Sequence, residues 1–359
     1  MQIQMISFTE NGYLLGNKIK EILLQQFEKS AELQETRIAL TNKMSIGSLQ
    51  DWTKEAFTCA DVIVFIGACG IAVRSIAPFL KSKYVDPAVI VIDEAGKFCI
   101  SLLSGHIGGA NEWTEKMAAL IGAVPVITTA TDLRHCFAVD VFVKKKGLYA
   151  YPKERCKEIS AALVAGNDVY LRSDFQIAGE LPAHLITADT GAIGMHITLF
   201  PKKEDFYTNT LYIIPRIISL GIGCKKNTTR GQIEEAVTIG IQEFIGENSK
   251  EMVPKEKLDV WMRAIARIAS IDKKKDEKGL LDFAKQFQIP FLTFSKETLL
   301  QIEGDFTSSS FVEQTVGVDN VCERAAVAAS EQGRIIMKKR ACNGVTIALA
   351  LADWSVDFA

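Results

Sequence analysis

Two short runs constrain this chain more than any other feature. Residues 61–66 and 88–92 are nearly continuous apolar stretches, as expected of strands buried on both faces. Such strands require helices on both sides of their sheet. The flanking segments supply that rhythm. Residues 2–8 alternate apolar and polar and read as a strand, while 13–27 place Leu15, Ile19, Ile22, Leu23 and Phe27 on one helical face. A short strand at 37–40, a strand at 97–103 after the Glu94-Ala95-Gly96 turn, a helix at 111–121 and a strand at 123–128 follow. The expected class is α/β, with an N-terminal open, mostly parallel sheet and flanking helices over residues 1–135.

A smaller middle or linker domain is expected at 136–210, with a helix at 154–164, a strand at 169–171 and a Gly-rich stretch around Gly179, Gly191 and Gly194. A C-terminal α/β domain is expected at 211–359. It opens with a strand at 213–220, interrupted early by Pro215, which favours an edge or a strand start. Helices at 230–245, 257–270, 279–287 and 318–331 and strands at 289–294, 334–338 and 345–350 complete it. Thr229 and Gln232 have capping-box spacing at the first of these helices.

Composition excludes several classes. A net charge of −2 over 359 residues gives no global basic field for nucleic acid, so an anionic ligand must meet local Lys and Arg clusters. The longest apolar run, 62–73, contains Gly67 and Gly70 and is too short to span a bilayer. Residues 1–10 lack the basic start and apolar stretch of a signal peptide. The eight cysteines are scattered with no CxxC pair, against a disulfide framework. These features point to a reducing, cytoplasmic setting. The four histidines are far apart, so no zinc-ligand spacing is present. P-loop, complete dinucleotide, GxSxG and HExxH patterns are missing.

The most informative segment is Ser104-Gly105-His106-Ile107-Gly108-Gly109-Ala110-Asn111, which follows a strand and opens a helix. Glycines there permit a sharp turn and close ligand approach, and the helix start suits a carboxylate or an oxyanion. His106 can act as acid or base near neutral pH; the plainer reading is a tight turn with a local cap. The Gly67-Ala68-Cys69-Gly70 turn leading to Arg74 fits ligand contact or close packing equally. Thr128-Thr129-Ala130-Thr131-Asp132 follows the next strand. Ligands of open parallel sheets sit beyond the strands' carboxyl ends, so the three loops are expected to share a cleft. Gly221-Ile222-Gly223-Cys224-Lys225-Lys226 also follows a strand. Its lysines suit anionic groups or a solvated face, and Cys224 reads as a packing or loop residue before it reads as a nucleophile. The run 273–277 reads as surface. Ser308-Ser309-Ser310 with Glu313 is either a binding loop or a mobile one.

These residues also carry a family resemblance. SGHIGGANEWTEKMAALIGAVPVITTATD resembles the N-terminal signature of the cobalt-precorrin-5A hydrolases. LGIGCKKNTTRGQIEEAV, IASIDKKKDEKGLLDFA and VGVDNVCERAAVAAS resemble the opening and later stretches of that family's C-terminal domain. The likeness runs over nearly the whole chain and is thin in the middle. Asn227 stands where a Gly is expected and Arg324 where a Pro is expected. The resemblance implies opening of a δ-lactone on a ring-contracted cobalt corrinoid, with release of acetaldehyde to give cobalt-precorrin-5B. It implies no protein-bound cofactor, because cobalt arrives in the substrate, and brief contact with the pathway's methyltransferases. Nucleic-acid and membrane partners are not expected. A non-catalytic corrinoid-delivery protein is the alternative. On this reading His106 is the candidate base and the N–H groups of Gly108 and Gly109 are candidate oxyanion donors. Lys225, Lys226 and Arg74 would pair with corrinoid carboxylates, placing the substrate between the first and third domains. Gly67, Gly70, Gly105, Asn111, Thr129, Thr131, Asp132, Gly221 and Gly223 complete the expected binding surface.

Overall fold

The computed structural model describes residues 1–29, 36–82, 85–106, 108–129, 136–201, 207–249 and 255–358. The chain divides into two compact units, Met1–Val141 and Phe142–Ala359. The first contains β1 (Gln2–Ser7), α1 (Glu10–Lys29), β2 (Arg37–Asn42), α2 (Leu49–Cys59), β3 (Val62–Ile66), α3 (Cys69–Ile76), β4 (Ala88–Ile92), β5 (Phe98–Leu103), α4 (Ala110–Ile121) and β6 (Val124–Val126). Helix α5 (Val139–Lys145) runs across the boundary.

The six strands order as β2-β1-β3-β4-β5-β6. Every residue of β3 and β4 is buried, and the pleat explains why. Val62, Val64, Ile66, Ile90 and Ile92 face a core with Ile19 and Leu23 of α1 and Met117 of α4. Ile63, Phe65, Val89 and Val91 face the opposite core with Ala56 of α2 and Ala72 and Ile76 of α3. Successive side chains alternate between two covered faces, so no polar position remains.

One pairing breaks the parallel pattern. β4 and β5 are antiparallel, with Val89 opposite Leu103 and Ile92 opposite Cys99, because the Glu94–Gly96 turn is too short for a crossover. β5 and β6 are again parallel, joined through α4. The carboxyl ends of β5 and β6 therefore lie at the amino ends of β1, β3 and β4.

The second unit carries β7 (Tyr149–Tyr151), α6 (Arg155–Val164), β8 (Val169–Ser173), β9 (Gln176–Ala178), β10 (Leu185–Thr187), β11 (Gly191–Ile197) and β12 (Tyr207–Ile214). Four strands and the antiparallel β7 form the sheet β10-β8-β11-β12-β7. Gly191 and Gly194 make room for aromatic rings: an added Cβ would come within 2.0 Å of Tyr170 and 2.4 Å of Tyr207.

Then follow β13 (Ile218–Cys224), α7 (Arg230–Ser249), α8 (Lys255–Met262), β14 (Ile265–Ile271), α9 (Lys278–Phe287), β15 (Phe291–Phe294), α10 (Lys296–Gln301), α11 (Ser310–Val316), α12 (Cys322–Ala329), β16 (Arg334–Cys342), β17 (Val345–Leu351) and β18 (Ser355–Asp357). The sheet order is β15-β14-β13-β17-β16. Ile233 and Val237 of α7 and Leu280 and Phe283 of α9 cover one face, and Ala325 and Ala329 of α12 lie against Ala269 and Ile271 on the other. The first core continues to Leu199, Tyr212 and Ile214 beside the preceding sheet. β18 returns to pair with β9.

Two expected elements change. The strand expected at 213–220 is two strands, β12 and β13, in different sheets, because Pro215 lies between them and cannot donate to a ladder; the expected boundary at 210/211 falls inside β12. The helix expected at 257–270 is α8 followed by the central strand β14. The apolar residues there fit both periods, and β14 hydrogen-bonds to β13 on one side and β15 on the other. The capping box is present: Gln232 Oε1 accepts from the Thr229 N–H at 2.9 Å, and Thr229 Oγ1 from the Gln232 N–H at 3.3 Å. Among the described residues no helix is long and apolar enough to cross a membrane.

Candidate functional site

In the first unit the glycine loop is built around Asn111. Its buried side chain accepts from Ser101 Oγ at 2.6 Å and donates to Thr129 Oγ1 at 3.1 Å, tying β5 to the segment after β6. The backbone closes on itself: Gly109 N–H donates to His106 O, Ala110 N–H to Ser104 O and Asn111 N–H to Gly105 O. An added Cβ at Gly105 would sit 2.6 Å from Asn111 Oδ1, and one at Gly108 2.3 Å from Ser104 Cβ. Gly109 has φ +84° and stands at the N-cap of α4. Ser104, with φ +58°, holds a left-handed conformation without being glycine, and its buried hydroxyl has no hydrogen-bond partner among the described residues. Strain of this kind clusters at functional sites. The His106 side chain is half-buried in this loop, not packed in an interior.

Several expectations change here. Asn111 and Thr129 hold the loop together, so both ends of the Asn111 amide are already engaged. Gly109 is removed as an oxyanion donor, since its N–H is bonded to His106. The shared cleft of three loops does not form, because the antiparallel β4–β5 pair puts them at two ends of the sheet. The His106 loop and Thr129 lie at one end. Gly67, whose N–H donates to Ile92 O, lies at the other with Gly70 and Arg74, about one strand length away, roughly 15 Å. Gly67 packs under the Phe8 ring, while Gly70 and Arg74 are exposed. Thr131 and Asp132 lie outside the described residues.

The second unit contains a cavity of about 1200 Å³ beyond the carboxyl ends of β13 and β14, where ligands of open α/β sheets bind. Gly223 to Arg230 form one wall. Lys273 to Asp282 form the next, Ser309 to Val316 with Asn320 to Cys322 the third, and Lys339 with Gly344 to Thr346 the fourth. Seven basic side chains line it against three acidic ones. Lys225 and Lys226 stand exposed on a turn closed by the Thr228 hydroxyl, which donates to Lys225 O at 2.8 Å. Asn227 takes a left-handed φ of +64° in that turn, a conformation Asn tolerates better than most residues. The start of α9 is pressed against this turn, since a Cβ on Gly279 would lie 2.1 Å from Thr228 O.

Lys274 and Glu277, recessed in the cavity wall, form an ion pair at 2.9 Å. The expected surface run at 273–277 thus supplies part of the cavity, and Ser309 of the polar loop reaches it as well. Burial pushes the Cys224 thiol up; nearby Lys274 and the Thr228 hydroxyl offset this only in part, and Glu277 adds to it. That supports the packing reading of Cys224. Gly223 lines the cavity, but Gly221 does not: its missing side chain admits α12, as a Cβ there would be 1.8 Å from Cys322 O. Lys274, Glu277, Lys339 and Thr346 were missed because they come from separate segments. The only local signal was the charged run at 273–277, and reading the residues before it as a helix hid its place at the carboxyl end of β14.

Two family models match this chain, Cobalamin synthesis G N-terminal over residues 51–132 and Cobalamin synthesis G C-terminus over 218–350. The cobalt-precorrin-5A hydrolase of Salmonella typhimurium is 31% identical, covering 98% of this chain and 97% of the relative. The chain belongs to the cobalt-precorrin-5A hydrolase family. The hydrolase of Priestia megaterium is 30% identical over 97% of this chain and 94% of its own. The crystal structure of a putative cobalamin biosynthesis protein G homolog from Sulfolobus solfataricus covers 98% of this chain and 97% of that one, at 24% identity and a TM-score of 0.42. Within this hydrolase family chain, the N-terminal match includes the His106 loop and the C-terminal match includes all four cavity walls.

Proposed function

We propose that this chain hydrolyses cobalt-precorrin-5A. Water adds to the carbonyl of the δ-lactone and the ring C–O bond breaks, leaving a carboxylate and a free hydroxyl. Loss of the hydroxyl proton forms the carbonyl of acetaldehyde. The carbon–carbon bond to the macrocycle breaks, and its electron pair stays on the macrocycle and takes up a proton. One water is consumed, one acetaldehyde leaves, and cobalt remains in the product, cobalt-precorrin-5B. The observation that carries this reading is end-to-end likeness to a curated hydrolase, 31% identity across 98% of this chain and 97% of the relative.

The cavity supports it. Its volume exceeds the about 300–1,000 Å³ of ordinary small-molecule sites, which suits a large macrocycle. Its surplus of lysine and arginine suits a rim of acetates and propionates, with Lys225 and Lys226 at the mouth. Ester hydrolysis needs a base and donors for the tetrahedral oxyanion. His106 is the base in this proposal and the Gly108 N–H the oxyanion donor, having no acceptor among the described residues. Eight scattered cysteines with no CxxC spacing fit a reducing, cytoplasmic setting. Anaerobic incubation with cobalt-precorrin-5A, followed for acetaldehyde and product mass together, tests the reading. Corrinoid binding with no acetaldehyde and no mass change would instead mark a delivery protein.

A further inference from the structure

Glu323 is an anomaly in its own helix. It lies in the first turn of α12, fully buried among Cys322, Ala325 and Ala326. A carboxylate so placed loses its hydration and must be satisfied by the protein. Three donors satisfy it: the Thr307 N–H and hydroxyl, each at 2.8 Å, and the Lys339 N–H at 2.6 Å. Among the described residues it forms no ion pair. Asn320 braces the same corner, accepting from the Glu323 N–H and donating to Thr307 O, each at 2.8 Å.

The bond to Lys339 has a consequence in the sheet. β16 pairs Met337 with Leu349 and then Arg340 with Ile347. Three residues of β16 are matched to two of β17, so the Lys338–Lys339 step is a bulge. In an unbroken strand, Met337 and Lys339 would share a face by the period of two. Instead Met337 and Arg340 share it: Met337 is in the core beneath α7, and Arg340 pairs with Glu243 and Glu247 of α7. Lys338 turns outward to Asp305, and Lys339, half-buried, turns into the cavity. Bulges re-aim side chains in this manner beside functional sites. The other arm of the carboxylate fixes Thr307, two residues before Ser309 in the third wall.

We propose that Glu323 is a positioning residue for polyanion recognition: by capturing the Lys339 N–H it creates the bulge that aims Lys339 at a substrate carboxylate, and by holding Thr307 it sets the facing wall. This rests on the corrinoid reading for the identity of the ligand. The role differs from catalysis, because Glu323 has no exposed surface with which to touch a substrate.

The test is a spectrophotometric titration of the full chain with cobyrinic acid, a cobalt corrinoid with free peripheral carboxylates, and with its amidated counterpart. Lys339→Met is expected to weaken binding of the acid about tenfold, the loss of one charge-assisted contact, and to leave the amidated probe unchanged. Glu323→Leu, which leaves the Lys339 N–H and both Thr307 donors without their acceptor, is expected to do the same, and the double variant to be no weaker than either single one, since coupled residues are not additive. Lys226→Met, on another wall, is expected to add its full effect to either. In turnover, KM rises and kcat holds. Should Glu323→Leu fail to fold, Thr307→Val removes one donor and is expected to give the same pattern at smaller size. Undiminished binding by Lys339→Met, or its full loss repeated in the Glu323→Leu background, overturns the positioning role alone. A wild-type chain that binds neither probe sinks the corrinoid reading and this role together.

Discussion

The α-carbon of Gly221 faces the carbonyl oxygen of Cys322 so closely that an added Cβ would lie 1.8 Å from it. Residue 221 is in the middle of β13, and Cys322 opens the helix that covers β13, β14 and β17. Backbone meets backbone there, so no rotamer change relieves the contact. Gly221→Ala is expected to lower stability by about 3 kcal/mol through overpacking, read as a lower urea midpoint at unchanged slope. A variant as stable as the parent would show that α12 is not seated as described.

Asn111 is predicted to act on stability rather than on ligand affinity. Asn111→Ala strands the Ser101 and Thr129 hydroxyls and frees the loop, at about 2 kcal/mol. Thermal unfolding and corrinoid titration on the same preparation separate the two. A fully stable variant with weakened binding would restore Asn111 to the list of ligand contacts.

His106→Ala is expected to slow acetaldehyde release by about a hundredfold or more, the usual contribution of a positioned acid–base group, with the unfolding midpoint held. Release at the parent rate from a folded variant would remove His106 from the chemistry.

Asp174 gives a pH prediction away from the site. Burial pushes its carboxyl up, but His196 at 3.0 Å, the Thr198 hydroxyl at 2.5 Å and the charges of His196 and Arg172 outweigh burial and hold it below its ordinary 3.8. A depressed folded pKa contributes stability above the unfolded value and loses it as pH falls through the folded one. Asp174→Asn is therefore expected to be less stable than the parent at about pH 6, with the gap closing below pH 3.8. A gap that persists or widens in acid would contradict the assignment.

Much of the fold was legible because it is recorded locally. The runs at 62–66 and 88–92 are strands because both of their faces are covered, and Thr229 with Gln232 starts α7 through bonds three residues apart. The strand 265–271 was not legible: Ile265, Ile268 and Ala269 fit a helix as well as a strand, and only pairing between β13 and β15 decided it. The orientation of β5 was likewise hidden. The Glu94–Gly96 turn was visible in the sequence, but its effect was to carry the His106 loop to the end of the sheet away from Gly67.

The sequence by itself determined the α/β class, the glycine turns that follow the strands and the family, since each is written in short stretches of neighbouring residues. The tertiary structure alone decided which of those residues stand together. A cavity gathers Lys225, Lys274, Glu277 and Lys339 from segments up to 114 positions apart in the numbering, and a buried carboxylate at Glu323 turns one of those lysines inward. The reason is physical: strand direction, bulges and close helix–sheet contacts depend on hydrogen bonds and packing between distant segments, and periodicity along the chain carries no record of them.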